Sequence, residues 1–356
     1  MKTERGIFLV PWTGIDIRRT AELLGESSAD FISISVKDSM GRTWARSDVV
    51  PEWAGGRDPL KDACDVFHRA GLKIRASIAV FADAYHGQLH PDWVAKGADG
   101  GLAARPGWSE DWYYHLCPTR EPHREYTLRF VEELTSRYEF DGIDLDFIRF
   151  PWKAANQDGP ERRFCFCDHC RTEFKKVAGE DVLALESPEL EPEWYRWRAD
   201  LISSMVESVG KITVARHMAL APFIALWSAD GFGLDELNRS SQRFGQDHRR
   251  LAKICDQLSP MVYHRFTDEP TCYTLRSVRW VRDVTWHLRE LGATVCSVVQ
   301  GGPPASPLEV IDAVRAAVDA GAAAIMSYPG LSWTVDNAYW VALGRAYQDI
   351  AVAETG

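Results

Sequence analysis

The chain predicts an α/β fold, a single (β/α)8 barrel, on three observations. Eight short apolar, β-rich runs recur along it, and amphipathic stretches of helical period lie between them. The fourth run alternates strictly, with carboxylates on one face and apolar side chains on the other. No glycine-rich phosphate loop follows the first run, where Pro11-Trp12-Thr13-Gly14 stands instead, which argues against an open, doubly wound sheet.

The predicted strands are Gly6–Trp12, Phe31–Val36, Lys73–Val80, Phe140–Phe150, Met218–Trp227, Met261–Phe266, Thr294–Gln300 and Ala323–Tyr328. The clearest helical stretches are Pro122–Tyr138, Asp247–Leu258, Val278–Leu291 and Pro307–Ala320. Two connections exceed ordinary βα loops: about 81–120, rich in Trp, Tyr and His, and about 151–192, which carries a cysteine cluster. Both leave the strand ends that form the catalytic face of such barrels, so they are expected to shape a pocket. With no repeat, low-complexity tract or linker, residues 1–356 read as one catalytic domain.

Composition narrows the function. An apolar fraction of 46% and a charged fraction of 26% are those of an ordinary globular protein. A formal net charge of -10 without any basic run argues against nucleic acid as a partner. No apolar run reaches membrane-spanning length, and Ile7–Val10 is too short for a signal-peptide core, so a cytoplasmic chain is expected. Fourteen Trp and 11 Tyr, several in loop-like segments, suit stacking on sugar rings; Trp12, Trp44, Trp112, Trp152 and Trp333 are candidate platforms. Oligomeric state leaves no mark on the sequence.

The fourth run, Phe140-Asp141-Gly142-Ile143-Asp144-Leu145-Asp146-Phe147-Ile148-Arg149-Phe150-Pro151, is the most informative. Alternation turns Asp144 and Asp146 inward and Ile143, Leu145 and Phe147 outward. Two acids side by side in a barrel interior are electrostatically costly, and such cost is commonly found where chemistry is done. The bland alternative is a structural carboxylate satisfied by an Arg or by backbone amides. Glycoside hydrolysis needs two carboxyl groups across the scissile bond, about 5 Å apart for retention and further for inversion. Asp144 and Asp146 lie roughly 6.6 Å apart along one strand and would approach a sugar from the same side. A partner on another strand end is therefore expected: Asp230 first, then Asp38, Asp83 or Glu269. Lys37, Arg149, Tyr263, His264, Gln300, Tyr328 and Trp333 stand at other strand ends as substrate-binding candidates, together with Asp38 and Asp83.

Cys165-Phe166-Cys167-Asp168-His169-Cys170 places three thiols within six residues, a density that fits a tetrahedral metal. Cys117 is the expected fourth ligand, with His169 as the alternative. Four thiolates leave no open position, so a zinc there would be structural, stapling the two long loops. Cys64, Cys255, Cys272 and Cys296 read as core fillers.

The fourth run resembles the D-G-I-x-x-D-[YF]-I-R-[YF]-P signature of glycosidase-type TIM-barrel families of unknown specificity. Ser35–Arg42, Val80–Asp83, Gly245–Asp247 and Pro260–Tyr263 resemble further segments of those families, so most of the barrel is covered. The resemblance implies a hydrolase of glycosidic bonds and a carbohydrate substrate, with Asp146 as nucleophile or base. In those families the position of Asp144 varies while that of Asp146 holds. The cysteines are similar to those of family 42 β-galactosidases, which bind zinc through C-x-C-x-x-C and one upstream Cys, here Cys117. Family 18 chitinases share part of the strand pattern, but their catalytic Glu would fall on Ile148. Two other functions stay open: a sugar-acid lyase or isomerase holding a divalent metal at Asp144, Asp146 and Asp38, and a non-catalytic carbohydrate-binding barrel.

Overall fold

The structure, a computed structural model, describes residues 2–10, 16–53, 55, 57–104, 114–152, 162–185, 190–226, 234–264, 278–328 and 337–355. Eight parallel strands close into a barrel in chain order, β8 pairing with β1. They are β1 (Glu4–Leu9), β2 (Phe31–Lys37), β3 (Lys73–Ala79), β4 (Gly142–Asp146), β5 (Ala219–Ile224), β6 (Ser259–Val262), β7 (Cys296–Gln300) and β8 (Ala324–Tyr328). Each falls within or beside a run predicted from the sequence. The main departure is β4, which stops at Asp146 because Phe147 takes φ 49°, a left-handed conformation that ends extended pairing.

The helices are α1 (Ile17–Glu26), α2 (Pro59–Arg69), α3 (Ala84–Leu89), α4 (Glu121–Arg137), α5 (Asp168–Ala178), α6 (Glu191–Ala215), α7 (Leu234–Phe244), α8 (His248–Ile254), α9 (Val278–Glu290), α10 (Pro307–Asp319) and α11 (Asn337–Thr355). Their starts follow capping chemistry: Asp16, Asp58, Asp83 and Asp247 accept backbone N–H bonds at the entries of α1, α2, α3 and α8. Ser306 and Glu309 form a reciprocal capping box at α10.

The strand period of two divides the core. Ile7, Ile32, Ile34, Ile74, Ile78, Ile143, Leu145 and Ile325 point outward into the layer shared with the helices. Phe8, Phe31, Phe223, Met261, Val298 and Met326 fill the interior. Gly6 is required there, since a Cβ would overlap the Phe31 ring. The same parity carries Lys37, Asp146, Gln300 and Tyr328 to the carboxyl ends of β2, β4, β7 and β8, the face where barrel enzymes bind substrate.

The two long insertions meet over that face. Ala82, Val94, Lys96 and Ala104 make antiparallel bridges to His115, Leu116, Leu102 and Tyr114, so the first insertion folds on itself. The Phe166 amide donates to the Lys96 carbonyl at 2.8 Å, and Arg162 pairs with Asp99 at 3.0 Å, joining the second insertion to the first. Sequence reasoning overlooked a third long connection, between β2 and α2, which Trp44 and Trp53 stack to close.

Candidate active site

Asp144 and Asp146 share a strand and a face but not an environment. Asp144 is fully buried inside the barrel, where Arg75 on β3 donates to it at 2.5 Å and Ser33 on β2 at 2.6 Å. Burial raises its pKa, and the Arg75 guanidinium and Ser33 hydroxyl counter that rise. Gly142, beneath it, leaves room beside the Arg75 stem and the Ala219 carbonyl. This is the geometry of a buried interior ion pair.

Asp146 ends β4 at the mouth and is partly exposed. Its carboxylate accepts the Phe147 backbone N–H at 2.7 Å. Desolvation pushes its pKa up to about 6, while nearby Arg149 and the Phe147 amide pull the other way and Asp144 adds to the rise. Arg149 is buried, with its guanidinium 4.9 Å from the Phe147 ring centre and 5.3 Å from that of Phe244. Across the mouth, the buried ring of Tyr263 stacks on Tyr328 at 5.1 Å, and Phe8 meets Tyr328 edge-on at 5.2 Å. The Asp146 charge helps hold the Tyr263 hydroxyl protonated, its pKa already raised by burial and Tyr328. Gln300 and His264 are buried at the ends of β7 and just beyond β6. These residues assemble a carboxyl group, a guanidinium and an aromatic wall at one end of the barrel.

Lys37 and Asp83 form a second buried pair. Lys37 Nζ lies 3.0 Å from Asp83 and donates to the Ala79 carbonyl at 2.8 Å. Asp83 also accepts the His86 amide at 2.8 Å, and the Lys37 charge helps hold its carboxyl well below the usual range against desolvation. Asp38 is engaged with its own loop, accepting from Met40 and Arg42 amides and from Trp53 Nε1 at 2.7 Å. These three side chains are thus tied into loop architecture. Asp230, Trp333, Trp12, Trp112 and Glu269 lie outside the described residues.

Gln246 falls in the Gly245–Asp247 segment that resembles the family motif, but sequence reasoning assigned it no role. Its buried amide bonds the Ala225 N–H at 2.9 Å, the Phe223 carbonyl at 2.8 Å and the Ile148 carbonyl at 3.2 Å. It therefore stitches the end of β5 to the turn that carries Asp146 and Arg149. The neighbouring Asp247 cap hinted at a helix start, but nothing in a single sequence marks a glutamine as a cross-strand tie.

Between the two insertions, Cys117, Cys165, Cys167 and Cys170 are all buried, with sulfurs within 4.8 Å of one another. Cys117 Sγ lies 3.8 Å from Cys167 Sγ, the roughly 3.8 Å edge of a zinc tetrathiolate, and 3.1 Å from Cys170 Sγ, shorter than that edge but well beyond disulfide bonding. The Lys96 and Cys170 amides donate to Cys165 and Cys167 sulfurs at 3.3 and 3.5 Å, as amides do to thiolates. Burial raises the Cys165 and Cys170 thiols, whereas bonds from Cys117, Cys165 and Cys170 hold Cys167 low. His169 turns away, its Nε2 3.2 Å from the Thr119 carbonyl. The donor set fits a dication, and Cys117 rather than His169 completes it.

Among the described residues, no helix is long and apolar enough to cross a membrane. Among solved structures, the glycoside hydrolase domain of PgaB (BpsB) from Bordetella bronchiseptica superposes with a TM-score of 0.74 at 13% identity. That match covers 96% of this chain and 98% of that one. Gan42B, a family 42 β-galactosidase from G. stearothermophilus, superposes with a TM-score of 0.66 at 14% identity, over 98% of this chain and 56% of that one. At such identities the likeness is one of fold. Among curated proteins, an S-layer-related protein of Niallia circulans is 22% identical over 269 residues, covering 65% of this chain. Glycosyl hydrolase YngK of Bacillus subtilis (strain 168) is 24% identical over 119 residues, 30% of this chain. The matches span only 16% and 21% of those two proteins' lengths. The model of one family, described as "Putative glycosyl hydrolase domain" (DUF4015), matches residues 13–275, most of the chain, and the chain belongs to that family.

Proposed function

We propose that the chain is a single catalytic domain that hydrolyses O-glycosidic bonds of an oligosaccharide or glycoside, with Asp146 as nucleophile or general base. The observation that carries this reading is the placement of Asp146: a carboxyl group at the barrel mouth with its pKa raised to about 6, beside Arg149. A carboxylate desolvated this far is more basic than one in water, and Arg149 limits the rise so that it remains largely ionised at neutral pH. Tyr263 and Tyr328 supply the flat apolar surface on which a sugar ring stacks, and Gln300 and His264 supply hydrogen bonds at its edge. Asp230, on the segment after β5, is the proposed partner carboxylate.

In this reading Cys117, Cys165, Cys167 and Cys170 hold a structural zinc. Bound there, it would contribute folding energy and fix the two insertions over the mouth, leaving the chemistry to the carboxylates. The alternative of a lyase or isomerase with a divalent metal at Asp144, Asp146 and Asp38 is less well supported. Asp144 is occupied by Arg75 and Asp38 by its own loop, so their oxygens do not converge on a common ion. A non-catalytic carbohydrate-binding barrel would not account for keeping a desolvated carboxylate at the mouth.

Incubation with a broad panel of oligosaccharides and aryl glycosides tests the reading. Release of reducing sugar or aglycone, with an acid limb of kcat near pH 6, is the expected result. Absence of turnover across the panel, with sugar binding retained, would replace the proposal with the binding-barrel alternative.

A further inference from the structure

From Asp83, His86 and His123 we infer a second metal site, distinct from both the thiol cluster and the mouth carboxylates, for a divalent transition ion of the zinc class. One ligand atom from each of the three residues lies within 4.8 Å of the others. His123 is fully buried, and its Nε2 lies 2.7 Å from the Val80 carbonyl. A carbonyl only accepts, so Nε2 carries the proton and Nδ1 presents a lone pair. Nδ1 has no partner among the described residues. Donating one ring N–H to a backbone carbonyl while the other nitrogen stays open is how metal-ligating histidines are held.

The remaining geometry agrees. His86 Nδ1 lies 3.2 Å from Asp83 Oδ2, long for a charge-assisted hydrogen bond and close to the roughly 3.3 Å edge between ligands of a tetrahedral ion bound at about 2.0 Å. The His86 amide donates to the other oxygen, Oδ1, at 2.8 Å, while Lys37 Nζ lies 3.0 Å from Oδ2 itself, so a bound ion would share that oxygen with the ammonium. Two imidazoles and one carboxylate favour zinc, cobalt or manganese over calcium or magnesium. Three protein ligands also leave a position open. His86 lines a groove of about 400 Å³ shared with Ser47, Glu52, Tyr85, His90 and Tyr126, so one of the three ligands is approached from solvent while Asp83 and His123 lie buried behind it. The Tyr126 hydroxyl is buried without a partner among the described residues, and its ring lies 4.3 Å from that of His86 and 5.7 Å from that of His123. A water on the metal would satisfy it.

The test adds cobalt(II) to the full chain carrying one equivalent of zinc, which the four buried thiolates take ahead of a three-ligand site. Wild type is expected to take up one further equivalent with weak ligand-field absorption and no thiolate charge-transfer band. His86→Ala, at a partly exposed position, should lose that equivalent while keeping the wild-type circular dichroism spectrum. If wild type takes up no cobalt beyond the thiol site, or if His86→Ala takes up as much, the inference is overturned. The wild-type titration alone decides the matter should the variant fail to fold.

Discussion

Asp144 and Asp146 sit two residues apart on one face of one strand, yet the barrel interior and the barrel mouth treat them oppositely. In the interior, Arg75 and Ser33 meet Asp144 directly, and the pair is sealed from water. At the mouth, Asp146 has one backbone amide, a neighbouring guanidinium and partial contact with solvent, which offset only part of its desolvation cost. Depth along the barrel axis, set by one step of strand alternation, separates a carboxylate paired inside the barrel from one left partly open at its mouth. The lesson for reading such motifs is that identity and facing do not assign a role; the partner on the adjacent strand does.

The largest expected effect concerns the support of the mouth. Cys167→Ser should destabilise the chain on the order of 5 kcal/mol and release zinc, because structural zinc contributes folding energy directly. Metal analysis together with thermal melting reads both, and zinc-free wild type of unchanged stability would contradict it. Next, Asp146→Asn should lower kcat by about 10³-fold or more, roughly 4 kcal/mol of transition-state stabilisation, with the fold intact. Asp144→Asn should do the converse. It strands Arg75 in the interior and should cost roughly 3–5 kcal/mol in denaturant unfolding, whereas replacing both partners by apolar residues should restore most of it.

The smallest effect sharpens the contrast through its sign. The folded pKa of Asp146, about 6, lies above its unfolded value of about 3.9. The native state therefore binds more protons between those values, and stability falls as pH rises from about 4 to 6. Asp146→Asn should remove that slope and be more stable than wild type at pH 7, by roughly 1–3 kcal/mol. Equal pH-dependence of unfolding in the two proteins would show that Asp146 is not desolvated.

The strands were legible because their chemistry is local: apolar runs and a period of two announce β1 to β8. The thiol cluster was legible for the same reason, since three of its four sulfurs fall within six residues and Cys117 was the sole thiol in the facing insertion. The resemblance favoured Asp146 over Asp144, but the difference in their surroundings was not legible, because Arg75 lies 69 residues away in sequence and meets Asp144 only when β3 pairs with β4. The role of Gln246 escaped for a like reason, since it ties the Ile148 carbonyl 98 residues away, whereas Trp53 meets Asp38 only through the folding of their shared loop. Nothing in the helical stretch Pro122–Tyr138 singles out His123, and only the fold brings its ring against His86.

The measurement closest to the central claim is the turnover of Asp146→Asn and Asp144→Asn, side by side, on a substrate the wild type cleaves. The account predicts that Asp146→Asn stays folded and loses about 10³-fold or more in kcat. It predicts that Asp144→Asn loses stability yet keeps a rate within roughly 10-fold of wild type while folded. Full turnover by Asp146→Asn, or a folded but inactive Asp144→Asn, would contradict it.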